Sequence, residues 1–161
     1  MKTFNDAAGR TWTLSLTLGT AMAVKAKLDI DLLQPESGDP PLLTRLGTDE
    51  LLLGEVLCAL LEGQFEAHKV TEEDVRAAFD GRTLLAAQEA FYGELEDFFR
   101  MRGRGDRALA VAKQSALIEA AVAAAETRIG ALDIDAAVRG AGIPGATSGA
   151  SPEASEPIPG P

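Results

Sequence analysis

This sequence has little of the chemistry that most catalytic and metal sites need. Its 161 residues include one cysteine, Cys58, and one histidine, His68. A single cysteine excludes an internal disulfide, and its apolar neighbours in the run from Val56 to Leu61 predict a small buried hydrophobe. A single histidine excludes metal clusters built on several histidines and makes a Ser-His-Asp triad nearly untenable. We predict that His68 is solvated beside the end of a helix.

Loops that bind phosphate or calcium are also missing. No Gly-x₄-Gly-Lys-Ser/Thr motif occurs, and the two Asp-Ile-Asp segments at 29–31 and 133–135 do not continue into a calcium loop, so helix flanks explain them better. The helical spacing of four other acids predicts the solvated side of an amphipathic helix instead of a catalytic pair: Glu89, Glu94, Glu96 and Asp97. We therefore predict no enzyme activity, no catalytic residue, no cofactor and no metal.

Secretion and membrane signals are equally scarce. The first residues include no apolar core of a signal peptide, and no apolar stretch reaches the roughly 18 residues that a membrane span needs. We expect a soluble protein of the cytoplasm that does not bind membranes.

Negative charge dominates the first two thirds of the chain. Residues 1–101 hold 9 Lys and Arg against 18 Asp and Glu, whereas residues 102–139 hold 6 against 5. A body this acidic repels phosphate backbones, so we expect no nucleic-acid binding. The same charge suits solubility, or docking onto a basic partner.

Periodicity predicts a strand followed by helices. Residues 11–18 alternate apolar and polar side chains from Trp12 to Leu18, which is typical of a half-buried strand, and Lys2-Thr3-Phe4 can form its partner. Thr20 can cap a short helix that ends at Leu28. Longer helices are predicted over residues 48–67, 71–80, 82–100 and 106–132.

The last residues change character completely. Residues 140–161 hold five of the eight prolines among Gly, Ala and Ser, so they cannot bury enough apolar area to offset their ordering entropy. The predicted fold is mainly α, with an N-terminal β-hairpin packed on a small helical bundle over residues 1–139 and a disordered tail over 140–161.

Two groups of charged residues are candidates for partner binding. The acids Glu55, Glu62 and Glu66 fall on one narrow stripe of the most apolar predicted helix. Four arginines surround a glycine-rich turn in this otherwise acidic chain: Arg100, Arg102, Arg104 and Arg107. The simpler interpretation of the arginines is a solvated turn between helices. The functional interpretation is self-assembly into a homo-oligomer, in which they meet the acidic body of a neighbouring copy.

The layout resembles the tail assembly chaperones of long-tailed phages and prophages. The residues that resemble this family are Phe4-Asn-Asp-x₂-Gly9-Arg10-x-Trp12-x-Leu14-x-Leu16, Val24-x₃-Leu28-x-Ile30-x-Leu32-Leu33, Leu42-Leu43-x-Arg45-Leu46, Val70-Thr71-Glu72-Glu73-Asp74 and Leu95-Glu96-Asp97-Phe98-Phe99.

The resemblance implies a small acidic helical protein that keeps the long tape-measure protein soluble until tail-tube subunits polymerise around it. Its partners would be the tape-measure protein or other tail proteins, and its location the host cytoplasm. The alternative is a structural tail completion or connector subunit that stays in the virion.

Overall fold

Residues 1–142 and residue 160 are described by the computed structural model, and nearly all of the predicted tail lies outside them. The structure is 68% helical with a two-stranded antiparallel N-terminal hairpin, which confirms the predicted fold class. The chain divides into two units, Met1–Ala123 and Ala124–Pro161. The elements are β1 (Lys2–Asn5), β2 (Thr11–Leu14), α1 (Leu18–Leu28), α2 (Leu42–Thr48), α3 (Glu50–Leu61), a 3₁₀ turn (Glu62–Gln64), α4 (Phe65–His68), α5 (Glu72–Ala77), α6 (Gly81–Met101), α7 (Gly105–Gly130) and α8 (Ile134–Gly140).

The hairpin is shorter than its alternating sequence predicts. β1 pairs with β2 from Lys2 opposite Leu14 to Asn5 opposite Thr11. Because β1 has only four residues, the hydrogen-bonded part of β2 ends at Leu14. The backbone N–H of Leu16 donates instead to the carboxylate of Glu94 over 2.9 Å. The chain then turns into α1, whose N-cap is Thr17 and not Thr20 as expected.

The turn of the hairpin is organised by one buried carboxylate. Asp6 accepts hydrogen bonds from the backbone N–H groups of Ala8 and Arg10, both over 2.9 Å, and from Arg10 Nε over 2.7 Å. Trp12, which is fully buried, donates its indole N–H to the same side chain. These bonds satisfy the polar atoms that burial of the turn takes out of water.

The predicted helix over residues 48–67 is broken. α3 ends at Leu61, and a 3₁₀ turn separates it from α4. The side chain of Gln64 in that turn donates to the carbonyl of Thr13 over 2.7 Å and accepts from the N–H of Thr13 over 3.1 Å. The break therefore lets one amide side chain join the helices to β2, a long-range contact that periodicity does not encode.

Two short helices escape the sequence analysis. α2 buries Leu42, Leu43 and Leu46, and at Gly47 it lies so close to its neighbours that an added Cβ would be 2.5 Å from Ile118 Cδ1. α8 begins where Asp133 accepts from the N–H of Ala136 over 3.0 Å. Helices of seven residues are marginal by propensity alone, so sequence patterns signal them weakly.

The core of the first unit is built on the hairpin, α3 and α6. β1 packs mainly on α6, and β2 packs on both α3 and α6. The largest fully buried side chains include Trp12, Leu57, Leu95 and Phe99. His68 is half-buried and not solvated as predicted, because its ring centroid lies 4.4 Å from that of Trp12.

α7 confirms the predicted long helix within two residues at either end. Its first half contributes buried Ala108 and Val111 to the first unit. In the described part of the chain, α7 is the one helix that is long and apolar enough, by length and composition only, to cross a membrane. Many alanines make this helix apolar, and Lys113 and Glu119 interrupt them.

Candidate interaction surface

A groove of about 410 Å³ opens between α3, α5 and α6 on the first unit. Most of its lining comes from successive turns of α3, and the remainder comes from α5, the loop that follows it and the first turn of α6. We call this surface the α3 groove, and its lining residues are Glu50, Leu51, Gly54, Glu55, Cys58, Arg76, Phe79 and Leu84.

The apolar floor of the groove follows from the sequence of α3. Asp49 caps this helix by accepting from the N–H of Leu52 over 3.0 Å, which fixes where the helix begins. Leu51 is then 84% exposed at the mouth. Gly54 lacks a side chain one turn further on, and a Cβ there would meet nothing within 4 Å. The groove therefore has open space beside Gly54 and an exposed apolar side chain, Leu51, in its lining.

The rim of the α3 groove carries net negative charge. Glu50 and Glu55 contribute exposed carboxylates from α3. The one lining cation, Arg76, is held by Glu72 over 2.6 Å, and Glu72 also lies 3.3 Å from the ammonium of Lys27. Because Arg76 is already paired, the unbalanced charge that a ligand meets comes from the two carboxylates.

Cys58 forms part of the floor as a buried thiol. Burial raises the pKa of this thiol, and the nearby guanidinium of Arg76 opposes the rise without reversing it. The thiol therefore stays protonated at neutral pH and is a weak nucleophile. This agrees with the prediction of a small buried hydrophobe.

The three acids of the predicted stripe are all exposed, but the structure does not keep them on one helix. Glu55 lies in α3 at the rim of the α3 groove, Glu62 lies in the 3₁₀ turn, and Glu66 lies in α4. Glu62 is 3.3 Å from the ammonium of Lys27. Of the three, only Glu55 joins the groove.

Three of the four arginines around the α6–α7 turn are engaged within the chain. Arg100 pairs with Glu96 and Asp97 of its own helix, and Arg104 binds Asp106 through two hydrogen bonds of 2.6 and 2.8 Å. Asp106 consequently has a pKa well below its ordinary value, chiefly through its hydrogen bond with Arg104.

Arg107 is tied most firmly into the structure. Its guanidinium donates to the carbonyl of Leu33 over 2.6 Å, pairs with Glu36, and lies 5.7 Å from the ring centroid of Phe99. Arg102 differs, because it is exposed at the end of α6 and has no ion pair among the described residues. The arginines therefore do not form one open cationic patch.

Glu94 corrects the predicted solvated face of α6. It is 7% exposed and accepts the N–H of Leu16, so it secures the exit of the hairpin to the helix. Its place in the sequence, three residues after Phe91 and four before Phe98, was a signal, because that spacing puts it on the apolar side. On the same helix, Leu85 is exposed.

Within residues 1–142 and 160, no group of three or more His, Cys, Asp or Glu side chains is placed to hold a metal ion. No model of a known protein family, no curated protein and no solved structure matches this chain.

Proposed function

We propose that this protein is a non-enzymatic tail assembly chaperone that binds the tape-measure protein of a long-tailed phage or prophage. The α3 groove is the observation that carries this proposal. It is an open, largely apolar cleft on a helical body, and such clefts take the apolar face of a partner helix. The resemblance of the sequence to tail assembly chaperones supplies the identity of the partner.

The groove selects a particular kind of helix. Leu51, Phe79 and Leu84 would contact one apolar side chain of the partner, which enters the open space above Gly54. Glu50 and Glu55 at the rim favour a lysine or arginine one turn away from that side chain. A long helical protein with apolar stripes and basic flanks fits both requirements.

The charge of the whole body supports the same partner. Residues 1–101 hold twice as many acidic as basic side chains, 18 against 9, and would steer a basic chain toward the groove. Raised salt should therefore slow association more than it speeds dissociation, because screening acts on steering.

The polar groups of the groove favour binding over catalysis. Arg76 is already paired with Glu72, and the raised pKa of Cys58 keeps its thiol protonated. Neither group is poised to act on a substrate.

Co-expression with the tape-measure protein tests the proposal. The full-length chain should convert that protein from insoluble to soluble, and Gly54→Phe should abolish the effect by filling the groove. Gly63→Phe is the matched control, because a Cβ at Gly63 also meets nothing within 4 Å but lies outside the groove lining. Equal loss of solubility in both variants would contradict the assignment of the groove.

A structural tail completion or connector subunit gives a different result. Such a protein would be found by mass spectrometry in purified tails, and it would leave the solubility of the tape-measure protein unchanged. That pair of outcomes would replace the chaperone proposal with the virion role.

A further inference from the structure

One wall of the α3 groove is short and depends on neighbouring elements for its position. It consists of Arg76 in α5 and Phe79 in the loop that follows, and we call these two residues the α5 wall. α5 has six residues, of which Val75 is buried in the core, and a helix so short is marginal in water by itself. Contacts with the rest of the first unit therefore decide where the α5 wall lies.

The turn of the hairpin bonds to the backbone on both sides of this wall residue of α5. The N–H of Ala7 donates to the carbonyl of Ala78 over 3.0 Å. Nη2 of Arg10 donates to the carbonyl of Asp74 over 3.4 Å, which makes this the weaker of the two bonds. The two carbonyls lie two residues after and two residues before Arg76, so the turn holds the segment that carries this side chain.

The hairpin also contacts the second side chain of the α5 wall. The rings of Phe4 and Phe79 pack edge to face, with their centroids 5.7 Å apart. Phe4 is buried and lies opposite Trp12 in the ladder, so it moves only with the hairpin. A displaced hairpin should therefore displace Phe79, although none of the described lining residues belongs to the hairpin.

The turn itself is well fixed. The N–H of Gly9 donates to the carbonyl of Asp6 over 3.0 Å, which closes a β-turn with Ala7 at its second position. Gly9 has a φ of 79°, which glycine adopts without strain. The carboxylate of Asp6 binds Nε of Arg10 over 2.7 Å, so the guanidinium reaches α5 from a fixed position.

We infer that the turn of the hairpin positions the α5 wall, chiefly through the bond from Ala7 to Ala78, and holds it at the spacing from α3 that admits a partner side chain. The inference deepens the proposed function of the α3 groove and rests on it for the identity of the partner. The position of the wall can be measured without any partner, because Cys58 lies in the groove floor beside Arg76.

The rate at which a thiol reagent labels Cys58 in the folded, full-length chain tests the inference. This side chain is 4% exposed, so the reagent reaches it only when the groove opens locally. Ala7→Pro is the informative variant, because proline suits the second position of a β-turn and lacks the N–H that bonds Ala78. It should raise the labelling rate about tenfold, since the opened state no longer costs that hydrogen bond.

Gln64→Ala is the matched control, because it removes two hydrogen bonds of the hairpin at Thr13 in β2 and none at the turn. It should change the labelling rate by less than about twofold, as expected for a side chain outside the groove lining. The emission of buried Trp12 should show that both variants fold. An unchanged rate in Ala7→Pro, or an equal increase in both variants, would overturn the inference.

Co-expression with the tape-measure protein separates this inference from the proposed function. Ala7→Pro should keep less of that protein soluble than the wild-type chain does, although it changes no lining residue, and Gln64→Ala should keep as much. Faster labelling of Cys58 in Ala7→Pro, with a tape-measure protein that stays insoluble beside the wild-type chain, would support the positioning and reject the chaperone role. Full solubility with Ala7→Pro despite faster labelling would overturn the claim that the position of the wall controls binding.

Discussion

The indole Nε1 of Trp12 donates a hydrogen bond to Oδ2 of Asp6 over 2.8 Å, and both side chains are buried. Arg10 donates to the same carboxylate oxygen over 2.7 Å, so the buried charge is paired. On its other side, the indole contacts the rings of Phe65 and His68. This pair therefore joins the polar turn of the hairpin to the apolar core of the first unit.

Replacement of Trp12 tests how strongly the hairpin belongs to the core. Trp12→Ala should lower the free energy of unfolding by about 3–5 kcal/mol, because it leaves a large cavity and removes one hydrogen bond to the buried carboxylate of Asp6. Trp12→Phe should lower the free energy of unfolding by less, since it retains most of the ring volume and loses only the indole N–H donor. Urea denaturation followed by circular dichroism measures both. An unchanged midpoint for Trp12→Ala would show that the hairpin stands apart from the helices.

The carboxylate of Asp6 predicts a specific acid sensitivity. Burial raises its pKa, but the hydrogen bonds from Trp12 and Arg10 outweigh burial and hold the pKa below its ordinary value of 3.8. A lowered carboxyl pKa contributes stability above the unfolded-state pKa, and this contribution is lost as pH falls through the folded-state value. Stability should therefore decline below about pH 4. In Asp6→Asn the decline should be shallower, and an equally steep decline in both proteins would contradict the assignment.

Two glycines inside helices should respond to alanine in opposite directions. Gly54→Ala should stabilise the protein by about 0.5–1 kcal/mol, because open space surrounds the new Cβ and alanine favours the helix. Gly47→Ala should destabilise it by about 1–2 kcal/mol, since the Cβ would press on Ile118 and lie 3.2 Å from Tyr92 Oη. Tyr92 cannot easily yield, because its hydroxyl donates to the carbonyl of Leu43. Thermal unfolding should show a higher melting temperature for Gly54→Ala and a lower one for Gly47→Ala than for the unchanged protein.

Alanine substitutions at Arg107 and Arg102 should differ in their effect on stability. Arg107→Ala should cost about 1–3 kcal/mol, because it removes a guanidinium that bonds the carbonyl of Leu33 and stacks over Phe99. Arg102→Ala should change stability by less than about 0.5 kcal/mol, as expected for an exposed side chain at a helix end. Equal effects in denaturant titrations would mean that the contacts of Arg107 contribute nothing.

Local pattern was a good guide to α6 and α7, and a poor one where an element depends on distant contacts. α6 and α7 match their predicted spans closely because amphipathic spacing and flanking glycines are written in adjacent residues. α2 and the break between α3 and α4 were missed, since their stability depends on contacts with Tyr92, Ile118 and Thr13, which are far away in the sequence.

The candidate site shows the same division. The exposure of Glu55, Glu62 and Glu66 followed from helical periodicity. The α3 groove did not, because it requires α5 and α6 to meet α3 with an empty space above Gly54. The engagement of Arg107 also escaped prediction, because its partners Leu33 and Glu36 are more than 70 residues away.

The amino-acid sequence by itself determined the mainly helical class, the N-terminal hairpin and the acidity of the first two thirds of the chain, because composition and short-range periodicity depend only on neighbouring residues. Only the tertiary structure decided which polar groups are buried and which apolar ones remain exposed. Glu94 lies inside because it meets the N–H of Leu16, whereas Leu51 stays exposed beside an open groove. Such pairings arise when distant segments come together and desolvate one another, and that step brings Gln64 to Thr13 as well as Arg107 to Leu33.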